Sequence, residues 1–190
     1  MNMVAFAIAL VYGFMLAEQR VSNHHERWLR ARGAIEPAGD VYRAMAWLYP
    51  LAFLAMGLEG AWRAVRPAIS VSATVPAWAA SGILLFVASK ALKYWAIRSL
   101  GHRWTFRVLV LPSAPLVTTG PYRYIRHPNY VAVVGEFISA AMMVGAPVSG
   151  SLMLIAFGVA LRARIRVEER ALAAAGASGT PTRNVPAGPA

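Results

Sequence analysis

Gly120-Pro121-Tyr122-Arg123-Tyr124-Ile125-Arg126-His127-Pro128-Asn129-Tyr130 is a stretch that the centre of a membrane helix could not hold. It sets two arginines, one histidine and three tyrosines beside two prolines, and long apolar segments lie on both sides. Such a break marks the mouth of a helix bundle, where a polar ligand can be held beside the bilayer. A second polar cluster, Arg162-Ala163-Arg164-Ile165-Arg166-Val167-Glu168-Glu169, closes the last apolar segment about one hairpin later. The two clusters together carry the functional reading.

Composition agrees with a membrane chain. Hydrophobic residues make up 58% of the 190 residues and charged residues 14%, against about 45–50% and 25% in soluble domains. Five apolar segments can be drawn, at about 3–17, 42–62, 77–97, 130–144 and 149–161. The first has no basic residue ahead of it, so an uncleaved membrane helix suits it better than a signal peptide. Pro50 is expected to kink the second, and Pro76 to open the third. The last two fall short of the roughly 20 residues that a hydrocarbon core requires. They are expected to extend into their polar flanks or to form a hairpin. The fold expected is therefore all-α, with about five transmembrane helices in one domain over 1–172 and a flexible tail over 173–190.

Basic residues test this topology independently. Arg20, Arg27, Arg30, Arg32 and Arg43 lie between segments one and two. Arg98, Arg103, Arg107, Arg123 and Arg126 lie between three and four, and Arg162, Arg164, Arg166, Arg170 and Arg183 follow segment five. Only Arg63 and Arg66 occupy the opposite connections. Fifteen against two is a strong positive-inside bias, placing the N-terminus outside and both polar clusters on the cytoplasmic side. The net charge of +11 is thus explained without nucleic acid, for which aromatic residues would have to interleave with arginine on an exposed surface. Lys90 and Lys93, in the inner half of segment three, are expected to snorkel to the interface.

Among the connections, 18–43 is expected to continue the first helix into the cytoplasm and end near Gly33. His24, His25 and Glu26 read as a solvated charged face and not a metal site, because adjacent helical residues point apart. The alternation of 104–111 is β-like, and Pro112 ends it. Pro128 suits the first turn of segment four, whose free backbone donors, with Arg123 and Arg126 near, would favour an anion. An interfacial Tyr/Arg anchor is the competing reading of the same residues. With no cysteine in the chain, disulfides and thiolate metal sites are excluded.

Residue order adds what composition lacks. Gly120-Pro121-Tyr122, then Arg126-His127-Pro128-Asn129-Tyr130, then Arg164-x-x-x-Glu168-Glu169, resemble the isoprenylcysteine carboxyl methyltransferase family. Its members are integral membrane enzymes that use S-adenosylmethionine, related broadly to the membrane phospholipid methyltransferases. The motif resemblance covers about 101–172. It implies that Ala114, Pro115, Leu116, Val117, Tyr122, His127, Pro128, Asn129, Tyr130 and Glu168 contact the cofactor, and that Arg164 contacts the substrate. Arg164 and Glu168 are the catalytic candidates, although a plain helix ion pair would give the same spacing. Glu136, about two turns beyond Asn129, either lines the substrate or cofactor cavity or pairs with Lys90 or Lys93. Glu59 reads as structural or interfacial.

The reaction expected is transfer of a methyl group from a sulfonium to an oxygen of a lipophilic substrate at the membrane. A carboxylate acceptor needs a clamp such as Arg164; an enol or phenol also needs a base, for which Glu168, Glu136 or His127 could serve. Two departures set the chain apart from prenylcysteine-type enzymes. The residues after Glu169 are nearly all small over 171–177, where those enzymes continue with aromatics and glycine. The N-terminal half, including Asn23-His24-His25-Glu26-Arg27, resembles a bacterial branch with members similar to alkylpyrone O-methyltransferases. A small lipophilic acceptor is therefore favoured over a prenylated protein. The location implied is a bacterial inner membrane, with lipids as partners and no metal. A sterol-reductase-like enzyme using NADPH and a non-enzymatic scaffold are the alternatives from other classes.

Overall fold

The computed structural model describes residues 3–65, 76–112 and 114–176. The chain forms helices α1 (Met3–Arg30), α2 (Tyr42–Val65), α3 (Ala77–Leu100), α4 (Pro128–Val144) and α5 (Pro147–Ala174). Short 3-10 turns occupy Gly101–Arg103 and Gly120–Arg123. The protein is an integral membrane protein: α1, α2, α3 and α5 are each long and apolar enough to cross a bilayer. At 17 residues, α4 rises about 26 Å at 1.5 Å per residue, shorter than its neighbours. Trp47, Leu58, Leu84 and Ile155 are exposed on the outer surface, as lipid-facing side chains are.

Both short segments grow as expected. Segment four starts at Pro128 in the first helical position, and segment five runs through its arginine-rich flank to Ala174. A left-handed Gly145 closes α4, so that α4 and α5 form a tight hairpin. Of the expected tail over 173–190, residues 177–190 lie outside the described residues, while Ala173 and Ala174 belong to α5. Glu59, near the end of α2, accepts hydrogen bonds from the Ser149 amide (2.6 Å) and the Val148 amide (3.3 Å) at the start of α5. It fastens those two helix ends together, a structural role.

Small residues let the helices meet closely. A Cβ at Gly82 of α3 would lie 2.9 Å from Met142 Cβ and 3.0 Å from the Met143 nitrogen on α4. In lipid, backbone proximity of this kind is a main source of helix association. The core between α2, α4 and α5 is aromatic: Phe137 sits 4.6 Å from Phe157 and 5.1 Å from Phe53, centroid to centroid. Tyr49 packs edge-on against Phe53 at 4.9 Å.

The lysines of α3 correct the sequence reading. Lys90 and Lys93 do not reach the interface; they are buried. Lys90 Nζ lies 2.7 Å from Glu18 Oε1 and 3.0 Å from Glu136 Oε1. Lys93 Nζ lies 2.7 Å from Glu18 Oε2 and 3.1 Å from Glu136 Oε2. Tyr49 donates its hydroxyl hydrogen to Glu136. Two cations and two anions from α1, α3 and α4 thus close a neutral quartet. Snorkelling fails because each lysine finds two carboxylates at its own depth, and desolvated charges are tolerated only when so paired.

The β-like reading of 104–111 is also corrected. Among the described residues this segment joins no sheet and makes one isolated antiparallel bridge, Ile35 to Val110. Its alternation is real, since Trp104, Val108 and Val110 are buried. What it lacks is a neighbouring strand, and helix ends take that place.

Candidate active site

The C-terminal ends of α1 and α3, the N-terminal ends of α2 and α4, and the polar half of α5 meet at one face of the bundle. The extended strap 104–112 crosses this face and is tied down along its length. The Phe106 amide donates to Ser22 Oγ of α1 (2.8 Å), and Trp104 Nε1 donates to Asn129 Oδ1 of α4 (3.1 Å). His25 Nδ1 lies 2.8 Å from the Trp104 carbonyl oxygen, and the Ile35–Val110 bridge fixes the far end. Arg103 donates to the Pro115 carbonyl oxygen (2.5 Å), anchoring the segment after the strap to the end of α3. The polar extension of α1 is therefore a scaffold for the strap. His25 and Glu26, read as a solvated face, belong partly to it: Glu26 pairs with Arg107 at 3.4 Å. The hydrogen bond from Arg30, then the bond and charge of Arg107, hold the Glu36 carboxyl below its usual range, and Glu36 in turn raises Arg107. The pairs hold the α1–α2 loop against the strap.

Beneath the strap lies a cavity of about 350 Å³, within the 300–1,000 Å³ of small-molecule sites. Ala114, Pro115, Leu116, Val117, Tyr122, His127, Asn129, Tyr130, Arg164 and Glu168 all line it. Pro128 does not; it is the buried first residue of α4 and sets the direction of that helix. Arg126 reaches the rim with its side chain 87% exposed, and Arg123 sits over the Tyr124 ring at 5.9 Å instead. Glu136 lines neither this cavity nor the smaller one described below, and takes the lysine pairing weighed for it.

Arg164 and Glu168 do not form the i,i+4 ion pair that their spacing allows. Tyr130 stands between them: Arg164 Nε donates to its oxygen at 3.0 Å, and its own hydrogen goes to Glu168. His127 stacks on the Tyr130 ring (5.4 Å between centroids) and lies 3.4 Å from Glu169. Burial, and then the Glu168 charge, push the Tyr122 hydroxyl above its ordinary pKa, so it stays a neutral hydrogen-bonding group at the cavity wall.

Asp40 is the residue that sequence reading missed. Its Oδ1 accepts from the Tyr42 amide (3.1 Å) and lies 3.4 Å from Arg164 Nη1, while Oδ2 accepts from the Val108 amide (3.0 Å). The Arg164 and Asp40 side chains are 7% and 5% exposed, so the pair is nearly dry. An aspartate two residues before a helix start signals a cap-like turn; its reach to α5 has no local signal. Asp40 is a positioning residue, because it acts through Arg164. Asp40→Asn keeps an acceptor but removes the charge. Turnover of the acceptor is expected to fall about 10- to 100-fold, the scale set by a small misplacement, with S-adenosylhomocysteine affinity within about twofold. Initial-rate kinetics beside calorimetry separate the two quantities.

A second, smaller cavity of about 120 Å³ lies deeper, between α1, α2, α4 and α5. Met45, Pro50, Val133 and Phe157 give it an apolar wall. Thr105, Asn129, Tyr130 and Arg164 line both cavities. They form the partition between a larger chamber of mixed polarity, which holds the charged groups of Arg103, Arg107, Arg126, Glu168 and Glu169, and a smaller, more apolar one.

Residues 82–174, from α3 through the strap to α5, match the model of the isoprenylcysteine carboxyl methyltransferase (ICMT) family. An uncharacterized protein of Bacillus subtilis, YpbQ, is 30% identical over 165 residues, covering 87% of this chain and 94% of that protein. The chain belongs to the isoprenylcysteine carboxyl methyltransferase family. An uncharacterized protein of Haemophilus influenzae is 25% identical over 170 residues, covering 89% and 93% of the two chains. No solved structure matches. The matched segment of this methyltransferase-family chain contains the strap, the partition and the Arg164–Tyr130–Glu168 group. Asp40 and the α1 scaffold lie outside it.

Proposed function

We propose that the protein transfers a methyl group from S-adenosylmethionine to an oxygen of a lipophilic small molecule at the cytoplasmic face of a bacterial membrane. The shared partition carries this reading. A cavity of mixed polarity, sized for the cofactor, adjoins a smaller and more apolar one, and Arg164 with Tyr130 stands between them. The charge asymmetry of the loops, with both polar clusters on the arginine-rich side, supports the orientation.

The residues of the larger cavity suit the cofactor. Glu168 and Glu169 offer carboxylates to its ammonium, Arg103, Arg107 and Arg126 offer donors to its carboxylate, and residues 109–111 and 114–117 give the adenine an apolar slot with polar edges. When bound, S-adenosylmethionine supplies an electrophilic methyl group on a sulfonium. The protein contributes position and dryness. Arg164, held by Asp40, clamps the acceptor oxygen at the partition, and the apolar chamber excludes water from it. A carboxylate acceptor needs nothing more. An enol or phenol passes its proton to the free lone pair of the Tyr130 oxygen as the Tyr130 hydrogen moves onto Glu168, a route that the existing Tyr130–Glu168 hydrogen bond prepares. Glu136, engaged by two lysines and Tyr49, is not placed for this task.

A prenylated cysteine would present its carboxylate to the same Arg164. The small inner chamber and the alanine-rich end of α5 favour a compact acceptor, such as an alkylpyrone-type molecule. Titration of the detergent-purified protein with S-adenosylhomocysteine and NADPH by calorimetry tests the class of reaction. Binding of the former is expected, weakened at least tenfold in Glu168→Ala and Tyr130→Ala. Binding of NADPH instead would favour a reductase, and binding of neither a scaffold.

A further inference from the structure

We propose that the outer face of residues 120–127 is a seat for anionic phospholipid headgroups, set back to back with the wall of the larger cavity. The same residues read in sequence either as a ligand cluster or as an interfacial anchor; the fold divides the two roles by face. Tyr122 and His127 line the cavity. Between them Arg123, Tyr124, Ile125 and Arg126 are four consecutive exposed residues. Tyr124 is 73% exposed, with the bare side chain of Ile125 next to it. Exposed apolar groups that adjoin one another and are rimmed by charge mark a contact surface.

Depth identifies what this surface meets. Trp95 lies eighteen residues after Ala77, the first residue of α3, which is about 27 Å along the helix. A hydrocarbon core is about 30 Å deep, so the exposed Trp95 and Tyr94 stand at headgroup level, where such rings are favoured. The 3-10 turn is pressed onto that level. A Cβ at Gly120 would lie 2.0 Å from Ser99 Oγ and 3.2 Å from Trp95 Nε1. Within the turn the Tyr124 and Ile125 amides donate to the carbonyl oxygen of the buried Pro121, at 3.1 and 3.0 Å. Backbone bonds thus hold the exposed residues beside the end of α3.

Charge selects the headgroup. Arg98, near Trp95, is exposed, and neither it nor Arg123 has an ion-pair partner among the described residues. Arg126 has Glu169 alone, at 4.0 Å, and Arg123 leans over the Tyr124 ring at 5.9 Å on the outer face. Three arginines against one carboxylate leave a cationic patch, and each arginine near an anionic leaflet adds about fivefold to the attraction. A zwitterionic headgroup brings its own cation and gains little. An acidic protein would have to reach the Trp95–Tyr124–Ile125 edge at a depth that lipid already fills.

The chain has no cysteine, so a nitroxide on Ile125→Cys reports on this spot alone. A nitroxide on His24→Cys, at an exposed position of the polar extension of α1, is the water-facing control. The full chain is placed in nanodiscs of phosphatidylcholine, either alone or with about 30% phosphatidylglycerol as the anionic lipid. Collisions of the Ile125→Cys label with a neutral nickel chelate in the water are expected to fall at least about threefold when phosphatidylglycerol is present. Those of the control are expected to stay the same. Arg98→Gln/Arg123→Gln alters neither cavity wall and is expected to abolish the difference. Equal collisions in the two lipids, whether high or low, or a fall that survives in the arginine variant, would each overturn the proposal. Titration of the same samples with S-adenosylhomocysteine judges the methyltransferase reading separately, and its failure leaves the label comparison readable.

Discussion

Arg164→Ala is expected to lower methyl transfer at least about 10³-fold while S-adenosylhomocysteine still binds. Three powers of ten correspond to about 4 kcal/mol at the transition state, the upper range for loss of one preorganised charged donor in a dry site. Two effects add here. The acceptor oxygen loses its clamp, and Asp40, 5% exposed at its side chain, keeps a charge without its partner. Arg164→Lys separates the two. A lysine preserves the charge facing Asp40, but its single ammonium cannot reproduce a guanidinium that reaches both Tyr130 and Asp40. Partial recovery, on the order of tenfold, is expected. Single-turnover transfer of a labelled methyl group into lipid extract, beside calorimetric titration, measures both. Wild-type turnover by the alanine variant would remove Arg164 from the chemistry.

Glu18→Ala carries the largest expected effect on stability. Glu18 is 1% exposed and binds both lysines of α3. Its loss leaves two buried cations against Glu136 alone, and breaking a buried charge group in this way destabilises by about 3–5 kcal/mol. Glu18 lines neither cavity, so the change acts first on the bundle, although its partner Lys93 borders the smaller chamber. Glu18→Gln/Lys90→Met removes one charge of each sign and is expected to recover most of the loss. Thermal unfolding in detergent, followed by far-ultraviolet circular dichroism, gives the comparison. A Glu18→Ala protein as stable as wild type would show that the quartet contributes nothing to folding.

Sequence periodicity and loop charge made the helices legible because lipid imposes them: long apolar runs, prolines at helix starts and arginines on one side have local physical causes. The cavity-lining residues of 114–130 and of α5 were legible through motif order. Three features were not. Lys90 and Lys93 were read as snorkelling, and although a Glu136 pairing was weighed, Glu18, which completes the quartet, was not found because it lies 72 residues from Lys90 in sequence and depth in a bilayer is not written locally. The strap looked like a strand because alternation records burial of every second side chain and says nothing of what lies beside the backbone. Asp40 looked like one more loop carboxylate because its arginine is 124 residues distant. Each miss is a long-range polar pairing, where hydrophobic patterning carries no signal.

The quartet also constrains how the protein is made. Helices enter a bilayer before they pack against one another, and α1 carries Glu18 ahead of both of its lysines. Until α3 arrives, that carboxylate must stay at the headgroups or hold a proton. Glu136 on α4 then faces the same problem, solved at once because the lysines are already in place. Charge pairing thus orders assembly: α1 waits, α3 locks it, and α4 completes the lock while delivering Tyr130 and Asn129 to the strap. The wall that Tyr130 and Asn129 form beside the strap is finished only when the last of these charges has been neutralised.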